Sequence, residues 1–364
     1  VAVLSNRSSR PFPPAGAALD SGQNGTLEQA ASQSACSPLR LHYLSSVSEL
    51  NQHAGEMPLA EIHFGLQPTH ASGPHPVASV GMEQLGGATR VEVWTSLLPV
   101  QYGDMNGIRY ATNGEVLFGL VSESSIVAGA GFERRVHAIY RDLLSLIESQ
   151  GCPHLLRMWN YFPGITVSHN DLENYHRFCR ARSLAFQEHY DDFIHRLPSA
   201  SAVGTEGDTF VLGFIAARAP GIHRENPRQM SAYSYPPQYG PRSPSFARAT
   251  LTRFHEQEFF FISGTASIVG HESLHIGNVR MQIEETLSNI EALLQSTKRD
   301  ESTKFSGLAD LDHMKVYLRS AADLDVAREL IHRRIGTGID VLYLVGDICR
   351  RELLAEIEAA IHND

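Results

Sequence analysis

Cysteine is scarce in this chain. There are four in 364 residues (Cys36, Cys152, Cys179 and Cys349), with no CxxC pair and no regular spacing. That argues against a disulfide framework or a zinc knuckle and fits a reducing cytosol. Long hydrophobic runs are missing too. No apolar stretch approaches the length of a membrane span, and no charged-then-apolar leader is expected. There is no basic surplus. The formal net charge is −10 with eighteen histidines counted neutral, which disfavours a nucleic-acid binder. An anionic small molecule is still allowed, because a few local arginines decide that. No glycine-rich turn sits between a strand and a helix where a dinucleotide fold requires one.

What is present is ordinary globular composition: 42% hydrophobic and 19% charged residues, enough for one large domain or two of common size. Residues 1–37 are rich in Ser, Gly, Pro, Ala and Asn and read as a flexible arm. From Leu39 onward, elements follow in order. Thr89–Ser96 alternates like a strand, and Asn113–Gly114 between two apolar runs signals a hairpin. Phe132–Gln150 carries a helical stripe of Val136, Ile139, Tyr140, Leu143, Leu146 and Ile147, closed by Gly151. The strand HLLRMWNYF precedes a long helix over 170–194, with Asn170 or Asp171 as its expected cap. Two strands follow. The second half repeats helix, strand, helix, strand, strand, including a helix over Asn278–Ser296 with Met281, Ile283, Thr286, Leu287, Ile290 and Leu294 near one face. Recurrence at roughly 150 residues suggests duplication of a βαβ-containing α+β unit.

Three motifs bear on chemistry. HESLH (His271 to His275) matches the H-E-x-x-H zinc pattern, but Gly270 before it and IGN after it place it in a loop, with no third ligand at a familiar spacing. SGTAS lacks the flanks of a nucleophile elbow, and Cys349 has no neighbouring histidine. Arginine with tyrosine is more informative. Tyr175 and Arg182 are seven apart on one helix face, and Tyr233, Tyr235, Tyr239, Arg242 and Arg248 share a Pro/Gly-punctuated loop. Arginine holds carboxylates bidentately and tyrosine hydroxyls fix orientation. Surface arginines beside packing tyrosines would give the same pattern.

The closing stretch, Asp340 to Ile361, reads as strand, turn, strand. Alternation puts Leu354, Glu356 and Glu358 on one face of the second strand and Leu353, Ala355 and Ile357 on the other. A solvated edge strand is the plain explanation. The sharper one is a carboxylic acid kept protonated by desolvation and by a like charge beside it.

FFFISGTASIVGHESLHIGNVRMQIEETLSNIEALL followed by AEIEAA resembles the YjgF-like (RidA) fold. RMWNYFPGI, LENYHRFCRARSLAF, YGPRSPSFARA, SGTASIVGHES and ICRRELLAEIEA together resemble the chorismatases, over about residues 90–364. The resemblance implies an α+β fold of two tandem YjgF/RidA-like (chorismate-mutase-like) units: a degenerate N-terminal one over 38–240 and a catalytic C-terminal one over 241–364. It implies a cytoplasmic enzyme that cleaves chorismate without metal or cofactor, as a monomer or a trimer, with no nucleic-acid or membrane partner. By motif, the acid is Glu356. Tyr175, Arg182, Tyr235 and Arg248 would bind the substrate carboxylates, with Tyr233 and Tyr239 as alternatives to Tyr235. Cys349 and Ala266 would influence the product. In such enzymes Cys at the first position goes with hydroxybenzoates, and Ala at the second is more like the branch that makes a cyclohexadiene diol. This mixed pair resembles the type that forms both 3- and 4-hydroxybenzoate. A YjgF-like imine deaminase or ligand-binding protein is the other expectation.

Overall fold

The alternating apolar segments pair into three main sheets, and the two halves of the chain build theirs in the same way. The structure is a computed structural model that describes residues 37–363 apart from 68, 70–72, 88 and 125–128. The expected arm, apart from residue 37, lies outside the described residues. Strands β1 (Arg40–Leu44), β2 (Met57–Phe64), β3 (Val77–Val80), β4 (Gln84–Leu85) and β5 (Val91–Ser96) open the chain. All but β4 form a four-stranded sheet, in the order β1-β5-β2-β3.

The first large unit runs β6 (Gln101–Met105), β7 (Ile108–Thr112), β8 (Val116–Ser124), α1 (Gly129–Ser149), β9 (His154–Pro163), a small hairpin of β10 (Ser168–His169) and β11 (Leu172–Glu173), α2 (Asn174–His189), β12 (Ser199–Thr205) and β13 (Thr209–Ala217). Its sheet order is β12-β9-β13-β8-β7-β6. The second unit runs β14 (Ile222–Arg224), β15 (Ala249–Phe254), β16 (Gln257–Ala266), a hairpin of β17 (Ile268–Val269) and β18 (Glu272–Ser273), α3 (Val279–Asp300), β19 (His313–Leu318), α4 (Leu324–Arg334), β20 (Asp340–Val345) and β21 (Ala355–Asn363). Its order is β14-β15-β16-β21-β19-β20, with β4 added at the far edge.

Element by element the two sheets match in order and sense. Each has one parallel pair, β12 with β9 and β20 with β19, made by a helical crossover, and the remaining partners are antiparallel. This is the expected tandem pair of βαβ-containing units. Helices α1 and α2 cover one face of the first sheet and bury the stripe Val136, Ile139, Tyr140, Leu143, Leu146 and Ile147. Helices α3 and α4 do the same for the second sheet with Ile283, Leu287, Ile290 and Leu294. Met281, assigned to that stripe from spacing, is 46% exposed instead. A third core joins residues of all three sheets around Trp94, Trp159 and Phe261.

Two local expectations are corrected. Asn170 and Asp171 do not cap α2. Both are left-handed (φ 49° and 59°) and form the two-residue turn of the β10–β11 hairpin. Consecutive left-handed residues are what such a turn demands, and Asn and Asp tolerate it. The N-cap position of α2 falls on Glu173, whose side chain makes no capping bond. The plain edge-strand reading of the closing segment also fails. Strand β21 is interior, between β16 and β19, and Glu356 and Glu358 are 5% and 3% exposed.

Candidate functional site

Strand β21 places Glu356 opposite Ala266 of β16 on one side and Tyr317 of β19 on the other. Next to it the β16–β21 pairing slips between Ile262 and Thr265, a bulge that contains Ser263 and Gly264. Bulges re-aim side chains near sites. Gly264 is needed here for space, because a Cβ on it would lie 2.1 Å from Glu356 Oε1. The carboxyl therefore rests against bare backbone.

Glu356 faces a cavity of two adjoining lobes that share Tyr175, Pro244, Phe246, Gly264, Cys349 and Glu356 as walls. One lobe, about 410 Å³, adds Arg182, Phe178, Cys179 and Ser201. The other, about 540 Å³, adds Tyr235, Tyr239, Arg248, Ala266 and Arg350. Glu356, Cys349, Ala266, Tyr175, Arg182, Tyr235 and Arg248, expected at the site from the sequence, all line this cavity. Of the loop tyrosines, Tyr235 and Tyr239 reach it, whereas Tyr233 packs against the core of the first unit. Arg242 is exposed and takes no part.

The cationic walls are unusual in lacking acid partners. Arg182 is 2% exposed; its guanidinium lies 5.5 Å from the Tyr140 ring and 5.4 Å from Phe186, and its Nε has no hydrogen-bond acceptor among the described residues. Arg248, 3% exposed, donates to Tyr235 Oη at 2.7 Å and to the Met230 carbonyl at 2.9 Å, leaving Nε unused. Arg350 stacks on Tyr239 at 3.9 Å and donates to the His271 carbonyl and Ser273 Oγ. Among the described residues none of the three is ion-paired with a carboxylate. Near Arg248, the carboxyl of Glu225 is raised by burial, against the charge and the backbone N–H of Arg248. Buried unpaired guanidiniums are costly unless an anion arrives.

The two glutamates of β21 have opposite states. Burial, then the charge of Glu358, push Glu356 up to about 8, against the opposing pull of Arg157 and Arg248. Burial would raise Glu358 as well, but Lys315 at 2.9 Å and Arg157 at 2.8 Å, with a bond from Ser201 Oγ, hold it down at about 2. Trp159 Nε1 also donates to Glu358 at 2.8 Å. One carboxyl is therefore neutral at pH 7 and its neighbour ionised, which is how paired carboxyls are assigned separate tasks. Cys349 and Cys179 are both pushed up to about 12, chiefly by burial, so they line the cavity as thiols rather than as nucleophilic thiolates. Tyr175 bonds the Cys179 thiol one turn along α2, and its hydroxyl is held far above its usual range by burial.

Arg157, Ser201, Lys315, Phe246 and Arg350 went unread in the sequence. Three of them carried a signal: Arg157 opens RMWNYFPGI, Phe246 lies in YGPRSPSFARA and Arg350 follows Cys349 in ICRRELLAEIEA. The HESLH segment is the β17–β18 hairpin and the loop after it. His275 is left-handed and pairs with Glu285, while His271 bonds Tyr239. The two imidazoles do not share a helix face.

The model of the family "Chorismatase FkbO/Hyg5-like, N-terminal" matches residues 92–216. A protein of Streptomyces hygroscopicus named "Chorismatase" is 39% identical over 276 residues, 74% of this chain and 78% of its own length. Another from the same organism, "3-hydroxybenzoate synthase", is 34% identical over 278 residues, 74% of this chain and 81% of its own. A chorismatase crystal structure superposes with a TM-score of 0.83 at 33% identity, covering 90% of this chain and 99% of that one.

Proposed function

The chain belongs to the chorismatase family, and we propose on that footing that it cleaves chorismate to pyruvate and 3-hydroxybenzoate, 4-hydroxybenzoate or both, with Glu356 as the proton donor. The observation that carries this reading is a buried neutral carboxyl at the junction of two lobes, each with a buried arginine that lacks an acid partner. Chorismate fits that pattern. It is a dianion with a ring carboxylate and an enolpyruvyl carboxylate, joined by an enol ether whose terminal methylene is nucleophilic. Arg182 holds one carboxylate and Arg248 with Tyr235 the other. The methylene then lies toward Glu356.

Glu356 gives its proton to the methylene carbon, and the electron pair of the double bond becomes the new C–H bond. The adjacent carbon is left oxocarbenium-like. For 4-hydroxybenzoate, the ring C–O bond breaks, its pair completing the keto group of pyruvate. Loss of a ring proton then makes the ring aromatic. One proton enters and one leaves, so net water is not consumed and the Glu356 carboxylate can be reprotonated. Protonating carbon is hard, which is why the acid must be both desolvated and within reach. No step calls on a metal or an organic cofactor.

The hydroxybenzoate outcome rests on Cys349 in the shared wall and on likeness to a relative named for 3-hydroxybenzoate synthesis. Ala266 in the second lobe favours a second outcome, attack by water to give pyruvate and a cyclohexadiene diol. The two differ by one water in the net balance. Incubation with chorismate in the presence of a chelator, followed by chromatography of the products, tests the proposal. Pyruvate with hydroxybenzoate supports it; pyruvate with diol alone corrects the product; no pyruvate above background rejects the activity.

A further inference from the structure

The proposed chemistry leaves the buried cation Arg157 without a task. Arg157 of β9 is 2% exposed and does not line the two-lobed cavity. One terminal nitrogen donates to Ser201 Oγ at 2.7 Å and lies 2.8 Å from Glu358 Oε2. The other, Nη1, is buried with no hydrogen-bond partner among the described residues. Lys315 closes the far side of Glu358 at 2.9 Å and also holds Glu92 at 2.7 Å. With Glu356 neutral, this cluster has two cations and two anions, and its charge is balanced. Once Glu356 has given up its proton, the cluster holds one negative charge too many, in a place closed to solvent.

The groups that face Glu356 narrow the choice of what absorbs that charge. Tyr175 and Cys179 on α2, Tyr317 opposite Glu356 on β19, and Cys349 before β21 keep their protons and carry no charge. Arg248 acts on Glu356 but is assigned to the substrate. Glu358 repels it. Arg157 is the remaining cation, with a spare buried donor and a hydroxyl, Ser201 Oγ, between it and the bulge. Ser201 Oγ and Glu356 Oε1 lie 3.1 Å and 2.1 Å from the same point, the place a Cβ on Gly264 would occupy.

We infer that Arg157 is a positioning residue that stabilises the negative charge left on Glu356 when its proton passes to the substrate, with Glu358, itself held by Lys315, anchoring the guanidinium for that task. The inference rests on the proposed cleavage reaction. In the transferring step the Glu356 O–H bond breaks, the methylene gains the C–H bond, and the electron pair stays on the carboxylate that Arg157 stabilises. Glu358 is thus an anchor for a cation rather than a second acid.

The test is the pH dependence of kcat for pyruvate release in folded variants. Arg157→Gln removes the stabilising charge. The high-pH limb should move upward by on the order of one pH unit, and the plateau should fall by at least about tenfold. Chorismate affinity, measured by calorimetry in a Glu356→Gln background with and without Arg157→Gln, should change less than about threefold, since Arg157 touches no substrate. Arg157→Lys should bring the limb back toward that of the parent. Glu358→Gln should move it the opposite way, downward, because a like charge is lost and the guanidinium is freed. A purely structural Arg157 would lower the melting temperature and leave the limb in place, and that result overturns the inference. If Arg157→Gln does not fold, Arg157→Met, which keeps the length of the side chain without its charge, is read on the same limb: upward supports the inference, unmoved or downward overturns it. Failure of the parent protein to release pyruvate would instead reject the proposed reaction.

Discussion

Adding one methyl group at Gly264 tests the geometry of the acid without touching its chemistry. In Gly264→Ala the new Cβ would fall 2.1 Å from Glu356 Oε1, 2.9 Å from its Cδ and 3.1 Å from Ser201 Oγ. An ordinary contact needs well over an ångström more than the closest of these. The bulge cannot yield easily, because Gly264 N–H is bonded to Ser201 Oγ at 3.0 Å and Ser263 is tied to Ala247. The Glu356 carboxyl must therefore swing by roughly 1 Å, and a misplacement of that size costs on the order of 10²-fold in rate. Overpacking should cost about 1–3 kcal/mol in stability, within what a folded domain tolerates. The arginines are not disturbed, so binding should suffer much less than turnover. The assay is pyruvate release at saturating chorismate, with a melting curve and a calorimetric titration on the same sample. A folded Gly264→Ala protein with kcat within about threefold of the parent would refute the placement of the acid against this glycine.

Glu356→Gln should fold, bind chorismate and lose at least roughly a hundredfold in turnover, the share of one general acid. The same variant should be more stable than the parent at pH 8. The folded carboxyl stays protonated to about 8, but in the unfolded chain it ionises near its ordinary value of 4.5, so folding takes up a proton in that window and stability falls as pH rises through it. Melting curves should show the gap opening between pH 4.5 and 8 and closing below it. Arg182→Ala and Arg248→Ala should each weaken binding by on the order of 2–5 kcal/mol by calorimetry, since each strands a substrate carboxylate in a desolvated lobe. Cys349→Ala should keep pyruvate release, because a thiol held at about 12 is no nucleophile, while chromatography shows an altered ratio of products.

The periodic signals in the sequence were those that depend on local physics. The stripe on α1 and the Asn113–Gly114 turn, with Gly114 at φ 87°, needed only neighbours along the chain. The repeated order of helices and strands was visible for the same reason, and it became the matched topology of the two large sheets. Asn170–Asp171 was misread because a helix cap and a tight hairpin turn favour the same residues, and only the pairing of Ser168 with Glu173 separates them.

The site was legible through motif and only partly through physics. Alternation on β21 put Glu356 and Glu358 on one face, but it could not tell an interior strand from an edge, since that depends on β16 and β19 closing on either side. Nor could it show that the two carboxyls divide into one neutral and one ionised group. That division comes from Arg157 and Lys315, which reach Glu358 from strands β9 and β19, far away in sequence. Gly264 was present in the quoted SGTAS motif, yet its reason, the approach of the Glu356 carboxyl, exists only across the bulge.

The most direct measurement is the protonation state of Glu356 itself. Infrared difference spectra of the parent against Glu356→Gln, recorded across pH, isolate the carboxyl band of this one residue. The account predicts a protonated carboxylic acid at pH 7 that gives way to carboxylate near pH 8, in step with the fall of kcat for pyruvate release. A Glu356 already ionised at pH 6, or a rate that climbs with pH while the carboxyl deprotonates, would contradict it.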